Sequence, residues 1–486
     1  MNAAHPIRFD KRTKIVATIG PASASEEVLR AMVLAGMDVA RINFSHANYD
    51  ELVIWIKRIR QISASLEIPV AILGDLRGPR VRVGEMENGA IMFEEGAAVR
   101  LTPEDIIGRP DLISTTLPKL ADDVEPGVRL LLDDGNLELA VTEIDADSLV
   151  VCRVLRGGKL SSRRGINLPG RKVSLPALTE KDKEDVQFAI KHAFDFLALS
   201  FVQSAEDVRG LKAYLRSKVA AIPVISKIEK QSALDDIEAI VADSYGVMVA
   251  RGDLALEMSL QDVPIAQKRI ISVCRRHAAP VITATQMLES MTNHHKPTRA
   301  EAADVANAIL DGTDAVMLSG ESAIGQYPVE TIETMASIAR RTERAWLSGE
   351  LPPLTALPET TNMEETVAFA TNIVARRLNA KAIVAYTTSG STPRLLASHR
   401  PPVRILALSS NLATRRRLVL TWGVQPVKVD EVLGTAHMVH MAYAESRRHA
   451  GAQSGDVIAI VAGTPYGVAG NTNLLKVEVI PEDSIA

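Results

Sequence analysis

The sequence predicts an α/β protein built on a (β/α)8 barrel, with a small β domain inserted into it and a separate α/β domain after it. Three observations predict this. Short apolar strands alternate with amphipathic helices eight times. The alternation breaks once, from about Pro79 to Lys172, where short Val/Leu runs and glycine turns take over. It stops again at a proline-rich stretch, Leu351 to Pro358, and then resumes. Eight such pairs in roughly 250 residues are the signature of a barrel. A doubly wound sheet is the competing reading. It rarely needs so many units, and no G-x-G-x-x-G follows the first strand.

In order, Lys14 to Ile19 is a strand stopped by Gly20-Pro21. Ser25 caps a helix to Ala35, with Glu26 and Glu27 at its positive end and Gly36 after it. Strand Asp38–Phe44, helix 49–65 and strand Val70–Leu73 follow. Within the insertion, Leu132-Asp133-Asp134-Gly135 is a hairpin signal. Thr179 caps the next helix, to Ala193. Strands Phe196–Phe201, Val224–Ile228, Gly246–Ala250, Val281–Thr285 and Ala315–Leu318 then alternate with helices Ala205–Val219, Ala233–Ala242, Pro264–Ala278, Arg299–Leu310 and Val329–Trp346. Past the linker come helix Thr366–Leu378, strand Ala382–Tyr386, a helix through Leu396 and strand Ile405–Leu408. Helices Ala413–Leu420 and Ala436–Arg448 and strands Val457–Val461 and Leu474–Ile480 close the chain. The predicted units are a tail 1–11, a barrel 12–78 and 173–346, an insertion 79–172, a linker 347–358 and a C-terminal domain 359–486.

Composition excludes several classes. The 486 residues exceed one core, since domains run roughly 50–250 residues. A formal charge of −4 gives no basic footprint for nucleic acid or a membrane surface. Two cysteines, Cys152 and Cys274, rule out a disulfide framework and fit a reducing, cytoplasmic setting. No apolar run reaches the ~18 residues of a membrane helix.

In a barrel the chemistry lies at the C-terminal ends of the strands. Arg41, Asn43 and Ser45 alternate along the second strand, so they are expected on one face. The third strand delivers Asp75, then Arg77, Arg80 and Arg82. The fifth delivers Lys227 and Glu229, two apart and side by side; the sixth ends in Arg251-Gly252-Asp253, the seventh in Thr283 to Gln286. Glu229 and Asp253 are hard oxygen ligands of the kind Mg²⁺ or Mn²⁺ takes, with positions left for water and substrate. Arg41, Arg82 and Lys227 supply charge for phosphate oxygens. Metal plus cations around a phosphate is the equipment of phosphoryl transfer. There is no Walker A loop, and the insertion is a natural lid over the barrel mouth. In the C-terminal domain, Thr387 to Thr392 offers hydroxyls and N–H groups before a helix; it reads as a phosphate nest or as ordinary helix capping.

Ala40-Arg41-Ile42-Asn43-Phe44-Ser45-His46, Gly74-Asp75-Leu76-Arg77-Gly78-Pro79, Ile225-Ser226-Lys227-Ile228-Glu229, Ala250-Arg251-Gly252-Asp253-Leu254 and Ala284-Thr285-Gln286-Met287-Leu288-Glu289-Ser290-Met291 resemble pyruvate kinase. So do Pro297 to Glu301, Met317 to Glu321 and, near the end, Gly470 to Asn473. The resemblance implies a barrel, a small β-barrel lid after its third strand and a C-terminal regulatory domain. It implies phosphoryl transfer from phosphoenolpyruvate to ADP, Mg²⁺ on Glu229 and Asp253, and a homotetramer. Lys227 and Arg41 would meet the phosphoryl group, with Arg82 also catalytic. Gly252, Asp253 and Thr285 would bind substrate, and Thr285 would join the proton relay. Asn43, Phe44, Ser45, His46, Arg82 and Arg164 would lie near the ADP or ATP. Thr387, Ser389, Gly390, Ser391 and Thr392 would bind a phosphorylated effector. Asp134 is either a lid contact or a turn residue.

Four positions depart from the common pattern. Leu76 and Arg80 stand where K⁺-dependent members carry Thr and an acid, so K⁺ is not expected to be required: Arg80 would supply charge near Asn43, Ser45 and Asp75, the monovalent-cation positions that Leu76 completes. Ala255 and Lys230 flank the metal site without removing a ligand. Two other functions compete: a Mg²⁺-dependent keto-acid aldolase or lyase, and a non-catalytic metabolite sensor. The arginine-bearing lid argues against the first, and intact Lys227, Glu229, Asp253 and Thr285 against the second.

Overall fold

The computed structural model describes residues 10–46, 48–352, 354, 362–464 and 471–482, without the side chain of His46. Most of the predicted tail, part of the linker and Gly470 lie outside the described residues. Eight parallel strands close into a ring: β1 (Lys14–Thr18), β2 (Val39–Asn43), β3 (Ala71–Asp75), β4 (Phe196–Leu199), β5 (Val224–Ile228), β6 (Gly246–Ala250), β7 (Val281–Ala284) and β8 (Ala315–Leu318), with β8 pairing β1. Buried on both faces, they read as near-continuous apolar runs. The helices outside start at side-chain caps, two of them, Ser25 and Thr179, where the sequence placed them. Ser25, Thr179 and Thr298 each accept from a first-turn N–H.

Three local differences bear on the site. β2 ends at Asn43, and Phe44–His46 is a 3₁₀ turn, because the Ser45 N–H donates to Asn43 Oδ1 (3.1 Å). Ser45 therefore does not share a strand face with Arg41 and Asn43. Arg251-Gly252-Asp253 forms the first turn of helix Arg251–Glu257 rather than a strand end. The helix expected over Ala233–Ala242 is two, Gln231–Asp235 and Ile237–Asp243, broken at Asp236, whose carboxylate accepts from the Ala205 N–H (2.8 Å).

Between β3 and β4 the insertion folds on its own apolar core. It is a six-stranded sheet plus a two-stranded ribbon rather than one closed ring of strands. Asp133 and Asp134, both at positive φ, turn strand Arg129–Leu132 into strand Leu137–Ile144, as the hairpin signal predicts. The lid is tethered at its base: Gly78 N–H donates to Asp182 Oδ1 (3.1 Å), and Gln203 bonds both ways to the Val173 backbone.

The C-terminal sheet runs β11-β10-β9-β12-β13, from β9 (Ala382–Tyr386), β10 (Arg404–Ser409), β11 (Val424–Lys428), β12 (Val457–Ala462) and β13 (Leu474–Val479). β11 has no sequence signal because Pro426 interrupts it. A proline is tolerated there since the strand lies at the sheet edge. The helix predicted over Ala413–Leu420 stops at Leu418. Val419 and Leu420 leave it to join the apolar layer inside the barrel, beside Ile225, Met248 and Met317. The C-terminal domain thus supplies part of the barrel floor.

Candidate active site

Asp75, at the end of β3, organises the barrel mouth. Arg41 donates from Nε to Asp75 Oδ2 (2.7 Å) and from Nη1 to Thr18 Oγ1 (2.8 Å). Lys227 Nζ lies 3.3 Å from Asp75 Oδ1, 2.8 Å from Glu229 Oε1 and 2.6 Å from Ser200 Oγ. Ser200 in turn donates to the Leu76 carbonyl (2.7 Å). Burial disfavours the Lys227 ammonium, but Asp75 and Glu229 outweigh it and hold its pKa above the ordinary value. Burial also works against ionised Asp75; Lys227 and Arg41 reverse that and hold it low.

Glu229 is buried, and one oxygen accepts from the Phe201 N–H (2.6 Å). Burial pushes its carboxyl up to about 7, with Asp253 adding to the rise and Lys227 opposing it. Two carboxylates close enough for Asp253 to raise Glu229 are a donor set for a divalent cation. Among the described residues no cluster of three His, Cys, Asp or Glu side chains exists for a tighter cage. The two carboxylates leave positions for substrate and water, as Mg²⁺ prefers. The site fits the ion.

Gly252 N–H donates to Thr285 Oγ1 (3.0 Å), and the Thr285 hydroxyl donates to the Ala284 carbonyl (2.7 Å). Thr285 sits at φ 68°, which is uncommon for a β-branched residue and marks a held, strained position. Arg251 holds it. Its guanidinium donates to Thr285 O (2.6 Å) and is anchored on Asp304 (2.8 Å).

Other predicted residues stand apart. The Phe44 side chain is buried against Phe188 and Phe194, so it offers the site no side-chain contact. Arg82 donates to the Arg163 carbonyl (2.8 Å), and Arg164 pairs with Asp133 (3.3 Å), so both are bonded within the lid. Burial lowers the Arg82 pKa, and Arg77 and Arg80 add to the effect. Arg80 pairs with Asp134 (3.0 Å) rather than with Asp75, which Arg41 and Lys227 already occupy. The His46 side chain lies outside the described residues. Between lid and barrel runs a cleft of about 1030 Å³, lined by Arg80, Asp134, Gly252, Asp253, Glu257 and Gln286 among others.

The C-terminal loop is one compact turn. Gly390 N–H donates to Thr387 Oγ1 (2.8 Å), and the Ser389 and Ser391 hydroxyls lie 3.1 Å apart. Thr392 is buried against Thr472 (2.6 Å). Sequence reasoning missed Thr18, Ser200 and the Phe201 N–H. The first two are hydroxyls at strand ends, a signal that was readable; the third is a backbone group and carries none.

A closed parallel barrel with cations, two acids and a strained hydroxyl at its mouth defines a barrel enzyme of phosphoryl transfer. Comparison with known proteins narrows the class. Residues 10–332 match the family model for the pyruvate kinase barrel domain, and residues 365–478 that for the pyruvate kinase alpha/beta domain. The chain is 44% identical to a pyruvate kinase of Mycobacterium tuberculosis, over 98% of this chain and 100% of that one. It is 44% identical to one of Geobacillus stearothermophilus, over 97% of this chain and 81% of the relative. A solved pyruvate kinase structure from Cryptosporidium parvum superposes with a TM-score of 0.91, at 33% identity and 98% coverage of each chain. The chain belongs to the pyruvate kinase family. That membership sets aside the aldolase, lyase and sensor readings.

Proposed function

We propose that phosphoryl transfer from phosphoenolpyruvate to ADP, giving pyruvate and ATP, takes place at the barrel mouth around Lys227. The carrying observation is the buried Lys227 ammonium, fixed between Asp75 and Glu229 and kept charged by both. Glu229 and Asp253 hold the divalent ion, Mg²⁺ or Mn²⁺, which when bound neutralises phosphate and enolate oxygens. Lys227 and Arg41 stabilise the phosphoryl group as it moves. The Gly252 N–H and Thr285 hydroxyl orient the substrate carboxylate. Thr285 then turns from the Ala284 carbonyl and passes a proton towards C3 of the enolate, with solvent making up the loss. Asn43, Ser45 and the Phe44 backbone lie by the nucleotide, and lid closure brings Arg82 and Arg164 to its phosphates. Replacement of Lys227 by Met, assayed for pyruvate formed from phosphoenolpyruvate and ADP, tests the assignment.

Leu76 offers no side-chain oxygen and Arg80 carries its own charge, which supports activity without added K⁺. Stimulation of about tenfold by K⁺ in alkali-free buffer, one 1.4 kcal/mol step, would count against it. The turn at Thr387, Ser389, Gly390, Ser391 and Thr392 opens a helix, which supports a phosphorylated effector there. A panel of sugar phosphates and nucleotides that leaves substrate half-saturation unmoved would remove that reading. Exposed Met363, Phe369 and Ile373 on helix Met363–Arg377, with Val477 and Val479 on edge strand β13, support self-association as a homotetramer, testable by light scattering. Buried free Cys152 and Cys274 support a cytoplasmic setting.

A further inference from the structure

One buried ion pair beside the site has no part in the chemistry above. Lys230 follows Glu229 directly, yet it pairs with Glu257 rather than joining Lys227, Asp75 and Glu229. Its ammonium lies 3.2 Å from Glu257 Oε1, with the two side chains 9% and 2% exposed. Glu257 is the last residue of helix Arg251–Glu257, whose first turn carries Gly252 and Asp253. The pair therefore ties the strand end bearing Glu229 to the far end of the helix bearing Asp253.

Glu257 also faces the lid. Burial raises its pKa, and Lys230, the Asn167 side chain and the Gly170 N–H oppose the rise. Asn167 ends the last strand of the inserted sheet, and Gly170 begins the return to the barrel. A second lid contact reaches the same helix: a Cβ on Gly135, in the lid turn, would meet Leu256 Cδ2 at 3.7 Å. Buried ion pairs add little stability over packed apolar residues, and their best-attested use is to fix register. Here the register fixed is that of three elements: β5, the Asp253 helix and the lid's return strand.

We propose that Lys230 and Glu257 are positioning residues that lock the lid hinge to the two acids of the metal site. Divalent-ion binding at Glu229 and Asp253 and closure of the lid are then one coupled step. This rests on the reading of Glu229 and Asp253 as metal ligands.

The hinge carries its own reporter, since Arg171-Lys172 is a tryptic site. The full chain is treated with trypsin with and without Mn²⁺ and oxalate, and cleavage after Arg171 and Lys172 is followed by mass. Mn²⁺ binding is read in parallel by electron paramagnetic resonance. Wild type is expected to gain about tenfold protection at the hinge, within the range of site-to-site couplings. E257Q and K230M are expected to bind Mn²⁺ but lose most of that protection, and the swapped pair K230E/E257K to recover part of it. A brace with only a structural role would lower the melting temperature of these variants and leave the protection intact. Wild-type protection in both single variants overturns the proposal while the metal site stands. Mn²⁺ binding undiminished in E229Q overturns the metal site itself, and the proposal with it.

Discussion

At the floor of the barrel, Val419 and Leu420 from the C-terminal domain pack among Ile225, Met248 and Met317. A buried ion pair lies nearby: Arg400 bonds Asp314 (3.1 Å) and the Gly312 carbonyl (2.5 Å) and lies over Trp422, and Trp422 N–H donates to the same Asp314 (3.0 Å). At the mouth, the same eight strands end in Lys227 between two acids, a buried Asp75 Oδ1 with no hydrogen bond, and Thr285 at φ 68°. The floor is closely packed, with only scattered polar atoms such as Arg400 Nε and Thr421 Oγ1 left without a partner, whereas the mouth concentrates its charges and a strained hydroxyl residue in one place. The difference teaches that strand ends, not strands, divide stability from chemistry in this fold.

Changes at the mouth should cost rate and changes at the floor should cost stability. The largest effect is expected from Lys227→Met. Loss of the ammonium removes charge stabilisation made in the transition state, so kcat should fall by about 10³-fold or more, with KM for ADP little changed. Steady-state kinetics read this directly. A fall of less than tenfold would move the chemistry elsewhere.

Leu420→Ala is the complementary break. It leaves a cavity in the floor layer, and such truncations cost about 2–5 kcal/mol. Denaturant unfolding should show that loss, while kcat at saturating substrate stays near wild type. A variant of normal stability would mean that the C-terminal domain merely rests on the barrel.

The sequence was most informative where one element explains itself. Eight apolar strands, their caps and the Lys227/Glu229 spacing follow from local periodicity. So does the hairpin at Asp133-Asp134. What needed the structure was whatever one element does for another. Val419 and Leu420 look like the end of an amphipathic helix until the barrel floor is there to receive them. β11 hides behind Pro426 because only its place at the edge makes a proline acceptable. Ser45 looked strand-like because nothing local announces that Asn43 will capture its N–H. That Arg80, expected to bring charge towards the cation positions, also pairs with Asp134 on the lid takes the folded lid to see.

The floor also predicts a pH response. Burial, with nearby Arg275 adding, depresses His399 from 6.5 to about 4, so the folded state keeps it neutral where the unfolded chain would protonate it. A lowered folded pKa means that the unfolded state binds more protons between these values. Stability is therefore fully present above about 6.5 and is lost as pH falls towards 4. Melting temperature should drop over that window by about 2 °C more in wild type than in His399→Asn. Equal slopes would show that the ring is not held neutral.

The smallest test returns to the mouth and asks whether its strain is functional. Thr285→Ser keeps the hydroxyl that accepts from the Gly252 N–H, but removes the branch that makes φ 68° costly. The variant should gain about 0.5 kcal/mol in stability, a fraction of the 1–3 kcal/mol typical of such conformations. Its kcat should fall about threefold, because a serine hydroxyl has more rotamers than a threonine hydroxyl at the same place. If stability rises and rate does not change, the strained backbone is a by-product of the turn after β7. If both move together, the mouth gives up stability to aim one hydroxyl.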